Sequence, residues 1–213
     1  MGRLKETAAV YETRPLPEGK ITFEEFLAWC DEDTWAEWVD GEVVILTPAA
    51  RKHQKITALL STLLREFVLK QGLGDVLTAP FLVRLPESLR RGREPDIFYV
   101  SNEKLPLLKE TYMDGPPDLI VEITSPESLA RDRGEKYVEY EAAGVKEYWL
   151  IDPDRRQAEF YRLAEEGRYR TVHPNEEGIY RSEVIPGFWL QVSWLWQDPL
   201  PSAIDCLKEL GLI

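Results

Sequence analysis

The stretch "DLIVEITSPESLARDRGEKYVEYEAAGVKEYWLID", residues 118–152, reads as strand, helix, strand. "DLIVEIT" is an apolar, β-rich run, and "SLARDRGEKYVEYEAAG" has helical composition with Gly144 as its stop. "KEYWLID" then returns as a strand. Such a strand–helix–strand unit implies a right-handed parallel crossover. One residue disturbs the pattern. Glu122 stands between Val121 and Ile123, where an unpaired carboxylate is costly to desolvate. Strand alternation puts Leu119, Val121 and Ile123 on one face, with Ile120, Glu122 and Thr124 on the other. An edge strand would turn Glu122 to water. A strand that feeds a crossover helix is covered on both faces, and there the carboxylate needs a partner or a metal.

Outward from this unit, the chain alternates short β runs with four further helical patterns. "TFEEFLAWC" opens with Thr22 and carries Glu25 three residues on, the signature of a capping box. "TWAEWVDGEVVILT" is two β-rich runs around Asp40-Gly41, a hairpin signal. Ile56, Leu59, Leu60, Leu63, Leu64 and Phe67 fall at helical spacing in a segment that ends at Gly72. "DVLTAPFLVRL" and "EPDIFYV" are strand candidates joined by "PESLRRGR", and "NEKLPLLKE" reads as a short helix. Past Arg155 come "QAEFYRL", "GRYRTVH", "GIYRSEV" and "FWLQVSW", then a terminal helix near Ala203–Leu210. The expected fold class is α/β (α+β): a mixed sheet flanked by helices, with an N-terminal hairpin and additional C-terminal strands. Residues 1–20 read as an arm and 21–213 as one domain.

The 213 residues are 44% hydrophobic and 30% charged, as in a soluble globular protein. No apolar run approaches the ~20 residues that span a bilayer, and no signal peptide is visible in the first residues. Two cysteines, Cys30 and Cys206, form no CxxC pair, which points to a reducing cytoplasm and away from a zinc or disulfide scaffold. A formal net charge of −12 argues against nucleic-acid binding by bulk electrostatics and leaves room only for a local basic surface.

Asp96 opens the apolar strand "EPDIFYV". It reads either as a turn residue after Pro95 or as a functional group, since Asp is disfavoured in strands. Asp96 and Glu122 on neighbouring strands would make a hard, oxygen-rich site suited to Mg²⁺. Lys136 lies on the helix after the Glu122 strand. It reads either as an i,i+4 partner of Asp132 or as a cation that projects toward the carboxylates, orients or deprotonates water and stabilises phosphate charge. "RLPESLRRGR" supplies Arg84, Arg90, Arg91 and Arg93, and "RKHQK" supplies Arg51, Lys52 and Lys55, as candidate phosphate contacts. The tryptophans fall mostly at strand or helix spacing and read as core or interface rather than as base-stacking platforms.

The order "EPD", "DLIVEITSPES", "RDRGEKYVEYEAAGVKEYWLIDP" closely resembles the Uma-two family, described as "putative restriction endonucleases", within the PD-(D/E)xK nuclease superfamily. The resemblance also takes in "TFEEFLAW", "AEWVDGEVVILTP" with a following His53, and "VIPGFWLQV", over residues 20 to 196. It implies a restriction-endonuclease-like core, Mg²⁺ (or Mn²⁺) as cofactor, DNA as partner, and Asp96 and Glu122 as metal ligands. The usual E-x-K motif is broken here, because Thr124 stands at the lysine position. The resemblance implies that Lys136 takes over that role from the following helix. Glu37 and His53 fall where the family carries polar residues near its site. Glu42 is the alternative to Glu37, and His53 is equally readable as a helix N-terminal residue. Many nucleases of the superfamily dimerise to cut both strands, and the Trp-rich C-terminal strands offer a surface for a homodimer. The expected function is metal-dependent hydrolysis of DNA. Its rivals are a catalytically inactive nuclease-fold module that binds nucleic acid or protein, and a hydrolase of small phosphoesters.

Overall fold

The computed structural model describes residues 15–31 and 34–213. Residues 1–14 of the expected arm lie outside the described residues. At its described end the arm touches Trp29, whose Nε1 donates to the Pro15 carbonyl at 3.0 Å. In chain order the elements are α1 (Phe23–Trp29), β1 (Ala36–Val39), β2 (Glu42–Ile45), α2 (Arg51–Gln71), β3 (Gly74–Thr78), β4 (Leu82–Arg84), β5 (Arg91–Arg93), β6 (Ile97–Ser101), β7 (Tyr112–Asp114) and β8 (Leu119–Ile123). Then follow α3 (Leu129–Arg131), a π-helical turn (Asp132–Lys136), α4 (Tyr137–Ala143), β9 (Glu147–Asp152), β10 (Gln157–Leu163), β11 (Tyr169–Val172), β12 (Ile179–Arg181), β13 (Trp189–Gln191) and α5 (Ala203–Glu209). None of the described helices is long and apolar enough to cross a membrane.

The large sheet has the order β11-β10-β9-β8-β6-β3. Only β8 and β9 are parallel within it, as the crossover pattern predicts. The strand alternation also holds. Leu119, Val121 and Ile123 pack with Ile56, Leu60 and Leu64 of α2 in one apolar cluster. Ile120 faces the other way, with Tyr140 of α4 and Tyr148 of β9. Gly72 and Gly144 end α2 and α4 at φ 64° and 83°, the left-handed conformation that glycine adopts without a Cβ clash. Asp40 and Gly41 both have positive φ, and β1 and β2 pair antiparallel around them.

A second sheet, β2-β1-β5-β4-β7, was not legible in the sequence as a separate layer. The run "DVLTAPFLVRL" splits at Ala79-Pro80, so that β3 joins the large sheet while β4 joins the small one. "PESLRRGR" is only half a loop, because Arg91–Arg93 form β5. "NEKLPLLKE" gives a single 3₁₀ turn, Leu105–Leu107, not an α-helix. One face of the small sheet packs on α1 through Phe23, Phe26, Trp38 and Leu82. Its other face shares a cluster with the large sheet, in which Val83, Leu85 and Met113 meet Phe98, Ile120 and Tyr140.

Charged side chains also fasten the small sheet to α4. The pairings Trp38↔Gly92 and Val39↔Arg91, extended by one residue, bring Glu37 and Arg93 to one face. Arg93 Nη1 donates to Glu37 at 2.7 Å, while Nε and Nη2 grip Glu139 of α4 at 2.8 and 2.9 Å. Arg93 is 1% exposed. Its expected role as a phosphate contact is therefore corrected: the guanidinium is committed inside the fold to two carboxylates. Breaking a buried ion pair strands the remaining charges. Arg93→Ala should lower the unfolding free energy by about 3–5 kcal/mol in chemical denaturation. A loss under about 1 kcal/mol, the ceiling for a typical surface pair, would refute this anchoring role.

Candidate active site

The pairing Ile97↔Val121 between β6 and β8, carried one residue further, sets Asp96 across from Glu122. Asp96 fastens this corner, because its Oδ2 accepts the Ile123 N–H at 2.7 Å. His53, in the first turn of α2, brings Nε2 to 3.1 Å from each Asp96 oxygen. Its Nδ1 lies 3.3 Å from the Thr57 hydroxyl. Burial opposes a charge on this imidazole. The hydrogen bond and charge of Asp96 outweigh it, with help from Glu122 and Asp132, and raise the pKa above the usual histidine value.

Glu122 is buried and not without partners. Its Oε1 accepts from Lys136 Nζ at 2.9 Å and from the Tyr140 hydroxyl at 2.7 Å. Lys136 is 3% exposed and also faces Glu37 Oε1 at 3.1 Å and Asp132 Oδ1 at 3.6 Å. Burial opposes the ammonium charge, but Glu122, Glu37 and Asp132 outweigh it and hold the group protonated well above the ordinary lysine range. For Glu37, burial is likewise the largest influence. Lys136 and Arg93 overcome it and bring the carboxyl down to about 2. Burial dominates at Glu122, where the pKa is raised in spite of Lys136. Glu94 sits beside Glu37, and burial with that neighbouring charge pushes it up to about 7.

The lysine reaches this position through a local departure from α-geometry. Residues 132–136 form one π-helical turn between two α segments, a feature that recurs at functional sites. Asp132, Lys136 and Tyr140 follow at four-residue spacing. The Tyr148 hydroxyl donates to the Asp132 carbonyl at 2.9 Å and ties the turn to β9. The sequence reading treated Asp132 only as a surface partner for Lys136. Both are buried, and Asp132 Oδ1 accepts no hydrogen bond among the described residues.

Asp96, Glu122, Lys136, Glu37 and His53 all line one cavity of about 500 Å³. Glu42 is exposed on β2 and is absent from that lining, so the acidic group that reaches the cavity is Glu37. The sequence reading missed Asp132, Glu94 and Arg131, which line it too. Arg131 precedes the π turn, and its Nε lies 3.8 Å from Asp132. Thr124 departs from expectation. β8 ends at Ile123, and Thr124 lines a separate depression with Asp152 and Arg155. The other predicted arginines lie elsewhere. Arg84 and Arg90 line a second cavity with Lys20 and Trp38; Arg84 sits 4.8 Å over the Phe23 ring and Arg90 5.6 Å over Trp38. Arg91 pairs with Asp40 and Glu139.

The lining's charge fits a divalent cation. Six carboxylates (Glu37, Glu94, Asp96, Glu122, Glu127 and Asp132) face two permanent cations, Arg131 and Lys136. The donors are hard oxygens, and two buried ones, on Glu94 and Asp132, have no hydrogen-bond partner among the described residues. Among the described residues, no group of three or more His, Cys, Asp or Glu side chains is placed to chelate an ion unaided. Magnesium has no such need, because it is typically held by one or two carboxylates with water and phosphate oxygens completing its shell.

Comparisons with known proteins place this architecture. A crystal structure from Anabaena variabilis, described as "a putative nuclease belonging to DUF820", superposes with a TM-score of 0.69 at 19% identity. The match covers 83% of this chain and 97% of that one, and shows a shared fold. No curated protein matches the chain. The family model for Uma2, described as "Putative restriction endonuclease", matches residues 23–193. Those residues hold every side chain of the cavity, and the chain belongs to the Uma2 family.

Proposed function

We propose that the protein is a divalent-metal-dependent endonuclease that hydrolyses DNA phosphodiester bonds at the Asp96–Glu122 cavity. The observation that carries this reading is the meeting, in one cavity, of two carboxylates from adjacent strands with a buried lysine bound to one of them. Asp96 and Glu122 would hold Mg²⁺ or Mn²⁺, which supplies Lewis-acid polarisation of the phosphoryl group and a more acidic bound water.

The remaining steps belong to the chain's own side chains. Lys136 is held charged by three carboxylates, so its role is to place positive charge where the pentavalent phosphate gathers negative charge. That choice sets aside its alternative role as proton acceptor. Glu37 positions Lys136 from the far side. His53 orients the Asp96 carboxylate. Arg131, partly exposed at the cavity wall, is the side chain best placed to meet an incoming phosphate. The acidic lining repels that phosphate unless a cation intervenes, which is why activity should require a divalent ion.

A second reading, a nuclease-fold module that binds without cutting, draws on the net charge of −12 and on the engagement of Lys136 in internal ion pairs. A cleavage assay on plasmid and oligonucleotide DNA with Mg²⁺ and Mn²⁺ separates the two. Cutting that EDTA stops supports the nuclease; metal-independent binding with no cutting supports the module.

Glu122→Gln keeps the side-chain volume and removes a ligand charge. It should weaken Mn²⁺ binding at least tenfold in calorimetric titration, and Asp96→Asn should do the same. Wild-type affinity in either variant would remove that residue from the metal site. Lys136→Met should behave differently. An ammonium is no metal ligand, so Mn²⁺ binding should survive in protein shown by its melting curve to be folded. Cleavage should fall by roughly 10²–10³, the typical cost of losing one preorganised charge-stabilising donor. Normal cutting by this variant would reduce Lys136 to a structural ion-pair partner.

A further inference from the structure

Trp35 departs from the core or interface role, rather than base stacking, that the tryptophans' spacing suggests. Its side chain is 39% exposed, and it lines the same cavity as Asp96, Glu122 and Lys136. It directly precedes β1, and its carbonyl accepts the Leu46 N–H at 2.9 Å, which extends the β1–β2 ladder by one pair. Trp35 and Glu37 are two residues apart in extended chain and both reach the cavity, as same-face residues do. Their Cα atoms therefore stand about 6.6 Å apart along the strand. Leu46, joined to Trp35 through the backbone, and Thr47, Pro48, Ala49 and Ala50 line the same cavity and carry no charge. The lining thus combines two unlike sets of groups: carboxylates and a lysine, and an exposed indole with small uncharged residues.

A nucleotide has the same division, with a charged phosphate at one end and a flat apolar base at the other. We propose that Trp35 is a stacking platform for an unpaired base next to the scissile phosphate, so that the site takes single-stranded or locally unpaired DNA. The proposal rests on the nuclease reading above and adds the substrate class to it. In a duplex the base faces are covered by their neighbours. Only an unpaired or extruded base offers its face to an aromatic side chain.

The test compares wild type, Trp35→Ala and Trp35→Phe on a single-stranded oligodeoxynucleotide and on the same strand fully paired, with kcat and KM measured in Mg²⁺. Trp35→Ala should lower kcat/KM on the single strand by about 5- to 150-fold, the span of one base–aromatic stack. It should leave the duplex value within twofold, and Trp35→Phe should keep most of the single-strand activity. A parallel reading uses 2-aminopurine in the single strand, with Ca²⁺ in place of Mg²⁺. Its fluorescence should be quenched by wild type and not by Trp35→Ala. Equal losses on both substrates would mark Trp35 as structural and overturn the proposal. An unchanged single-strand value, or no quenching by wild type, would overturn it too while leaving the nuclease reading intact. If wild type cuts neither substrate, the nuclease reading itself fails and the substrate assignment falls with it.

Discussion

A buried line of alternating charge runs through the centre of the molecule: Glu122, Lys136, Glu37, Arg93, Glu139. Each member comes from a different element: β8 of the large sheet, the π turn, β1 and β5 of the small sheet, and α4. All five are under a tenth exposed. Removing such charges from water is expensive, and mutual attraction recovers the cost only when geometry is good and most polar atoms are satisfied. Here the contacts run from 2.7 to 3.1 Å, and Arg93 grips Glu139 with two parallel donors. The relative placement of the two sheets and the helix is coupled to this line, because a shift of any element would leave a charge alone in an apolar surrounding.

The same line prepares the site. Glu37 is fixed by Arg93 on one side and holds Lys136 on the other, so the lysine gives up three carboxylate contacts if it swings out to solvent. Its permanent charge in turn leaves proton transfer to other groups. Glu122 shares the lysine only partly, for its own pKa remains raised. A cation beside it would favour the ionised form. Carboxylates outnumber cations around the cavity, and among the described residues one oxygen each of Asp132 and Glu94 accepts no hydrogen bond.

Much of this was readable before the structure, because it rests on local rules. Alternation alone put Glu122 on the opposite face from Val121 and Ile123. Gly72, Gly144 and Asp40-Gly41 announced their helix ends and turn through backbone preference. The long-range parts were not readable. Nothing in "PESLRRGR" distinguishes Arg93, which turns inward to Glu37, from Arg90, which lies over Trp38. That difference arises from strand pairing with β1, some fifty residues earlier in the chain. The π turn is hidden in the sequence because its residues share the spacing of an ordinary helix, and so Asp132 passed for a surface residue. Thr124 still pairs with β9, its N–H donating to the Ile151 carbonyl at 2.8 Å, yet it lines a depression apart from the cavity. The family resemblance singled out Lys136, which the fold brings to 2.9 Å from Glu122; its local sequence favoured only the pairing with Asp132, a contact that exists as the longest of its three.

The central claim is that Glu122 is tolerated in the core because Lys136 is bonded to it there. The measurement that tests it most directly is a double-mutant cycle on unfolding free energy, with Glu122→Gln, Lys136→Gln and the combined variant in chemical denaturation under metal-free conditions. A coupled buried pair predicts that the double variant is more stable than the sum of the single losses implies, with an interaction free energy of about 1–3 kcal/mol. Additivity within about 0.5 kcal/mol would contradict the account, since it would mean that each charge is tolerated for reasons independent of the other.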